Sequence, residues 1–292
     1  MGVGEYFQTF CSRLAISTEK RSSISRRCEL ITRRLNIDFR GSDSSTLNSF
    51  YVGSYGRGTA INGFSDLDMI FVMPYSFYER YNKYQGNGQS AMLQDVRASL
   101  RKTYSTTSIG ADGQVVVIAF DDGITFEVVP AFLSTQNKYI HPDSNNGGRW
   151  RVTDPKPEIE AISSMDKNCN GNLKWLCRMM RAWKNQWSVP MRGLLIDTLA
   201  HRFIKDWEHK EKSFLYYDWM SRDFFAYLVN EPEKEYWSAV GSGQQINSKG
   251  NFQYKAKRCY NLSVEAIRYE SNGQTWSARQ KWREIYGTNF PS

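Results

Sequence analysis

A chain of 292 residues with 40% hydrophobic and 14% aromatic content carries enough apolar matter for one large domain or two moderate ones, which excludes a disordered tail or a low-complexity linker. Its 38 Lys and Arg against 30 Asp and Glu leave a formal charge of +8, which favours anionic partners: nucleotides, nucleic acid or acidic lipid. No apolar run approaches roughly 20 residues and the first residues lack a basic-then-apolar signal pattern, so a soluble cytoplasmic protein without membrane association is expected.

The spacing predicts a short helix over 4–14, carrying Tyr6, Phe7, Phe10 and Leu14, and a longer one capped by Ser17 or Thr18. Ile24, Cys28, Ile31 and Leu35 recur at intervals that place them on one helical stripe. The outer face of that helix carries Lys20, Arg21, Arg26, Arg27, Arg33 and Arg34, either a solvated face or a surface for nucleic acid. Phe50-Tyr51-Val52 reads as a short strand feeding the turn Gly53-Ser54, and a second strand covers 67–73 before Pro74 stops its ladder. Residues 79–90 read as polar loop or short helix. Leu93, Val96, Leu100 and Tyr104 mark another amphipathic helix. Val115–Phe120 and Ile124–Phe132 flank Asp121-Asp122-Gly123, a strong hairpin signal.

Residues 133–155 read as a polar connection rich in Asn, Gly and Asp, and beyond it the periodicity turns helical and stays so. The domain change is placed there, giving a catalytic core at 1–155 with its N-terminal helices and a helical lobe at 156–292. Helices are predicted at about 156–166, 172–187, 192–208, 213–229, 252–269 and 274–285. In the second, Leu173, Leu176, Met180 and Trp183 share one stripe, with Lys174, Arg178, Arg181 and Lys184 off it. The glycine-bearing stretch 240–251 reads as a mobile surface connection. The five cysteines contain no Cys-x-x-Cys pair and the three histidines complete no metal-ligand spacing, so buried, reduced thiols are expected.

The chemistry concentrates in Gly53-Ser54 and in Asp66-Leu67-Asp68. Alternation along a strand puts Asp66 and Asp68 on one face and Leu67 on the other. Two carboxylates at the mouth of a strand repel each other, and a divalent cation is the usual reason to tolerate that. Gly53 lets backbone approach a ligand, and Ser54 can donate to a phosphate. Glu127, alone inside an apolar strand, needs a partner or a metal, because an isolated buried carboxylate is costly.

These residues together resemble the DNA-polymerase-β-like nucleotidyltransferase superfamily, whose signature is a Gly-Ser turn, a two-carboxylate strand start and a distant third acid. Gly53-Ser54-Tyr55-Gly56-Arg57-Gly58-Thr59-Ala60-Ile61, Glu127-Val128-Val129-Pro130-Ala131, Arg181-Ala182-Trp183-Lys184 and Trp282-Arg283-Glu284-Ile285-Tyr286-Gly287 are similar to the bacterial CD-NTases, cyclic-oligonucleotide synthases related to animal cyclic-GMP-AMP synthase and oligoadenylate synthase. The resemblance implies an α/β fold: a mixed-sheet nucleotidyltransferase lobe and an oligoadenylate-synthase-like helical C-terminal lobe closing a nucleotide cleft. It implies catalysis and metal binding by Asp66, Asp68 and Glu127, with Mg²⁺ or Mn²⁺. Phosphates would be held by Gly53 and Ser54, and more weakly by Arg57 and Arg181.

The implied product is a cyclic di- or trinucleotide second messenger, cyclic GMP-AMP among them, made from NTPs that include ATP or GTP and used in CBASS-type antiphage defence. A regulatory protein partner is expected in preference to activation by nucleic acid, since the animal synthase's zinc-binding insertion is absent. Two rival readings stand beside it: a nucleotidyltransferase that modifies tRNA or protein, and a non-catalytic nucleotide- or RNA-binding member of the fold. Two departures from the pattern are visible: Glu127 stands where Asp is common, and Gly193 where a nucleotide-touching serine often begins a helix.

Overall fold

Strand alternation in the first half of the chain sorts side chains to two faces, and this builds the sheet unit. The computed structural model describes residues 2–63 and 66–292, with Asp112 described by its backbone alone; Ser65, next to Asp66, lies outside the described residues. The elements in order are α1 (Val3–Leu14), α2 (Thr18–Arg40), β1 (Ser49–Tyr51), α3 (Gly53–Gly56), β2 (Asp66–Val72), α4 (Tyr75–Asn82), α5 (Gly88–Arg101), β3 (Ser108–Asp112), β4 (Val115–Ala119), β5 (Thr125–Leu133), β6 (Tyr139–Asp143) and β7 (Arg149–Thr153). There follow α6 (Pro155–Asn168), α7 (Asn172–Trp187), α8 (Gly193–Asp206), α9 (Tyr217–Asn230), β8 (Tyr236–Ser238), β9 (Gln245–Asn247), α10 (Gln253–Ser271) and α11 (Thr275–Tyr286).

The main sheet runs β1-β2-β5-β4-β3, with β6 joining β5 to β7, and is mixed: β2 and β5 are parallel, their neighbours antiparallel. Leu67, Met69 and Phe71 of β2 and Phe126 and Val128 of β5 face one core with Ile24, Ile31 and Leu35 of α2 and Leu93, Val96 and Leu100 of α5. Ile70 and Ala131 face the other side in a small cluster with Val52 and Tyr139. The same alternation puts Asp66, Asp68 and Glu127 on this second face.

The chain's contacts divide it into a sheet unit of Ser17–Gly56 and Gly63–Lys156 and a helical unit of Met1–Ile16, Arg57–Asn62 and Pro157–Ser292. The change at 156/157 falls one residue beyond the expected 155/156 boundary, but α1 and residues 57–62 group with the helices and not with the sheet. The reason for α1 is aromatic packing. Phe7 lies 5.1 Å from Trp282 and 5.2 Å from Phe290, and Phe10 lies 4.7 Å from Tyr286. Both phenylalanines are fully buried, each contributing roughly 1.5–3 kcal/mol.

Two local expectations are corrected, and the stretch 79–90 holds loop and helix as expected. Residues 133–155 are not a loose connection but carry the antiparallel pair β6–β7, and β3 forms with a single large apolar residue, Ile109, opposite Ile118. Residues 79–90 carry the end of α4 and the start of α5. The glycine-bearing stretch is anchored: β8 and β9 pair through buried Trp237 and Ile246, and a Cβ at Gly241, whose φ is +81°, would lie 2.1 Å from the Pro157 carbonyl oxygen.

The cysteines are free thiols, with Cys28 half-buried and the others buried. On the outer face of α2, Arg27 pairs with Asp122, Arg33 with Asp43 and Arg34 with Asp38. At least these three cations are matched by nearby acids, which weakens the nucleic-acid reading of that face. Among the described residues no helix is long and apolar enough to cross a membrane.

Candidate active site

The site in the sheet unit is built by one strand register. In the parallel pair of β2 and β5, Asp66 stands beside Thr125 and Asp68 beside Glu127. In-register neighbours on parallel strands project to the same face about 4.8 Å apart, so the acids at 68 and 127 are brought into contact although 59 positions separate them. Burial, the Asp68 and Asp66 charges and a hydrogen bond with Asp68 together hold the Glu127 carboxyl above the usual glutamate range. Asp68 and Glu127 are half-buried and Asp66 is exposed.

The turn preceding β2 is tied to the backbone of Asp68 and packs against its carboxylate. The Val52 amide donates to the Asp68 carbonyl oxygen at 2.9 Å, and Gly56 N–H donates to the Val52 carbonyl oxygen, closing the one-turn helix α3. Gly53 has φ +60°, and a Cβ there would lie 1.8 Å from Asp68 Oδ2. Glycine is required twice over: by the left-handed backbone and by the carboxylate in the space a side chain would take. Gly53→Ala should therefore cost about 1–2 kcal/mol in backbone strain and push Asp68 from its place. A displacement of that order lowers turnover by about 100-fold or more. Kinetics and thermal melting of the variant check both effects, and near-normal turnover would contradict this account of Gly53.

The three acids are hard oxygen donors crowded against one another, and a divalent cation relieves such crowding. Asp68 and Glu127 meet directly, while Asp66 acts on Glu127 through its field. Among the described residues no three such groups are already closed around one point. The donor set suits Mg²⁺ or Mn²⁺ and not a soft metal.

Arg57 and Arg181 belong to the helical unit, and the structure gives them other work. Asp197, fully buried on α8, accepts from Arg181 Nη1 at 2.6 Å through Oδ1 and from Arg181 Nη2 at 2.8 Å through Oδ2. Its Oδ2 also accepts from Arg57 Nε at 2.8 Å and from Thr59 Oγ1 at 3.0 Å. Arg57 Nη1 reaches Glu158 at 3.5 Å, and Glu158 accepts from Ser242 Oγ at 2.8 Å. Arg57 and Arg181, 6% and 8% exposed, thus share one carboxylate in a buried ion cluster. Gly193 opens α8 with its carbonyl accepting from Arg181, and a Cβ there would lie 3.2 Å from Arg181 Nη2. Sequence reasoning passed over Asp197. The signal was present, since an acid inside the apolar run Gly193-Leu194-Leu195-Ile196-Asp197-Thr198-Leu199-Ala200 is the same anomaly that singled out Glu127.

Residues 1–168 match the family model described as the Second Messenger Oligonucleotide or Dinucleotide Synthetase domain, SMODS. The chain belongs to this family. Gly53, Ser54, Asp66, Asp68 and Glu127 all fall inside the matched SMODS region. A probable cyclic nucleotide synthase of Bacillus cereus (strain VD146) is 27% identical over 180 residues, 57% of this chain and 52% of that protein, so the match spans about half of that relative's length. The cyclic AMP-AMP-AMP synthase of Acinetobacter sp. is 22% identical over 264 residues, covering 84% of this chain and 73% of that one. Among solved structures, Vibrio cholerae DncV in its apo form superposes with a TM-score of 0.75 at 14% identity over 100% of this chain and 96% of that one. CdnC of Escherichia coli MS115-1, solved with ATP, gives a TM-score of 0.67 at 13% identity over 99% of both chains. These structures share the SMODS chain's fold, a mixed nucleotidyltransferase sheet with a helical lobe.

Proposed function

We propose that this SMODS chain is a nucleotidyltransferase that joins NTPs into a cyclic di- or trinucleotide second messenger. The observation that carries the reading is the β2–β5 register, which sets Asp68 against Glu127 on the face where the Gly53 turn closes on Asp68. Asp66, Asp68 and Glu127 are the residues to hold Mg²⁺. When bound, that ion would neutralise charge on the triphosphate and on the departing pyrophosphate.

The chain's own groups do the rest. The Gly53 backbone and Ser54 hold the phosphates of the donor nucleotide. Glu127, set beside Asp68 by the strand register, takes the proton from the attacking ribose hydroxyl. The ribose oxygen bonds to the α-phosphorus while the bond to pyrophosphate breaks. Repetition on the linear product closes the ring. Among substrates a purine nucleotide is included; a relative named a cyclic AMP-AMP-AMP synthase and a neighbour solved with ATP support that choice. A CdnC structure solved with a HORMA protein supports a protein regulator.

The test is incubation with the four labelled NTPs, singly and in pairs, with Mg²⁺, followed by phosphatase. Small label-bearing products resistant to phosphatase are expected. Label on tRNA or protein instead, or product from UTP and CTP alone with no purine required, contradicts the reading.

A further inference from the structure

The one-turn helix α3 reads Gly53-Ser54-Tyr55-Gly56, so only Tyr55 gives this turn a side chain large enough to pack. Two glycines and a serine supply backbone freedom and almost no apolar surface to bury. Tyr55 is half-buried against the core of the sheet unit, and its ring meets Tyr51 of β1 edge to face, with centroids 4.8 Å apart. That geometry is a favoured one for an aromatic pair.

Tyr51 is itself fixed from behind. It shares a hydrogen bond with Cys28 of α2. Further along the same helix, Thr32 shares a hydrogen bond with Ser49 of β1, and Asn48 Nδ2 donates to Asn36 Oδ1 at 2.8 Å. Cys28, Thr32 and Asn36 recur at intervals of four and so line one face of α2, and Thr32 and Asn36 are fully buried. β1 is three residues long and stands at the edge of the sheet, so its own ladder holds it weakly. Hydrogen bonds are directional where apolar contacts can slide, and the polar stripe of α2 therefore sets where Tyr51 stands. The contacts run from α2 to Tyr51 to Tyr55, and every member lies in the sheet unit together with Gly53 and Ser54.

We propose that Tyr55, seated on Tyr51, is a positioning residue for nucleotide transfer: its ring is the anchor that holds the Gly53-Ser54 turn and its phosphate-holding groups in place. The proposal rests on the function given above. Tyr55 acts through the backbone of α3, which the bond from Gly56 N–H to the Val52 carbonyl oxygen closes into one turn. Released from its seat, a turn built on two glycines shifts easily, and a shift of about 1 Å in such groups costs on the order of 100-fold in rate.

The experiment compares Tyr55→Ala, Tyr55→Phe and Tyr51→Leu well below the melting temperature. Kinetics are measured with NTP, and binding of inorganic triphosphate with Mg²⁺ is measured by calorimetry. Tyr55→Ala should lower kcat/KM by about 10- to 100-fold and weaken triphosphate binding by roughly 5-fold or more. Tyr55→Phe keeps the ring and should stay within about 3-fold of wild type, whereas Tyr51→Leu removes the ring's seat and should cost roughly 3- to 10-fold. In a Ser54→Ala background the Tyr55→Ala factor should shrink by about 3-fold or more, because one of the groups it positions is gone. A lower melting temperature with kcat and KM unchanged, or a factor that multiplies unaltered in the Ser54→Ala background, overturns the proposal. Reduced turnover with triphosphate binding as in wild type also overturns it, since the ring would then touch base or sugar. Should Tyr55→Ala not fold, Tyr51→Leu carries the same cycle. A wild type that neither transfers nucleotide nor binds triphosphate fails the functional reading and the positioning role with it. An active wild type with unaffected variants fails the positioning role alone.

Discussion

Asp66→Asn combined with Asp68→Asn is expected to lower nucleotide transfer by at least about 1,000-fold while leaving the melting temperature unchanged or raised by ~1–3 °C. The two effects have opposite signs for one reason: the acids repel each other and Glu127, so their removal relieves the fold and empties the site. Turnover surviving in the double variant contradicts the proposed roles, and a large loss of melting temperature marks the pair as structural.

The pH dependence of Glu127 gives an independent arm. Its folded pKa is raised by burial, Asp68 and Asp66, so the stability its proton contributes is full below the unfolded glutamate value of about 4.3 and is lost as pH rises through the higher folded value. Without divalent cation, Glu127→Gln should therefore melt above wild type at pH 7.5 and level with it near pH 4. Added Mg²⁺ should narrow the neutral-pH gap by stabilising wild type alone.

Asp197→Ala is expected to be the most destabilising single change in the helical unit. It strands the Arg181 guanidinium and leaves Arg57 with Glu158 at 3.5 Å as its remaining carboxylate, both arginines being 8% exposed or less. Removing one partner of a buried ion pair costs about 3–5 kcal/mol, far more than a surface pair, because the charge left behind stays desolvated. A fall in melting temperature on the order of 10 °C follows.

Acid should expose the same cluster. Arg181 and Arg57 overcome the burial penalty and hold the Asp197 carboxyl well below the usual range. The stability this contributes is present above the unfolded aspartate pKa of about 3.9 and fades as pH falls toward the folded value. Wild type should lose stability progressively below about pH 4, with a shallower loss in Asp197→Asn. Melting curves from pH 2 to 7 for the two proteins check this. A melting temperature within 2 °C of wild type in Asp197→Ala would show the cluster to be of little energetic weight.

Local pattern carried much of the protein. The stripe Ile24, Ile31, Leu35, the Asp121-Asp122-Gly123 hairpin and the run of helices after 156 follow from period and turn chemistry, which neighbouring residues determine. Asp66, Asp68, Gly53 and Ser54 stood out for the same reason: carboxylates at a strand mouth and a glycine-serine turn are chemically odd in a short window. Glu127 stood out as an acid in an apolar strand, but its contact with Asp68 belongs to the β2–β5 register, which no local spacing encodes.

The weak strands β3 and β7 were missed because their own residues carry little apolar signal, and their stability comes from the neighbours they pair with. Arg57 and Arg181 were read as phosphate ligands because a cation in a sequence shows its charge and not its partner. Asp197, 140 positions after Arg57, decides where both guanidiniums point. That pairing is decided by folding alone: only when α7, α8 and residues 57–62 pack together does the low-dielectric interior make one carboxylate the strongest attraction available to both.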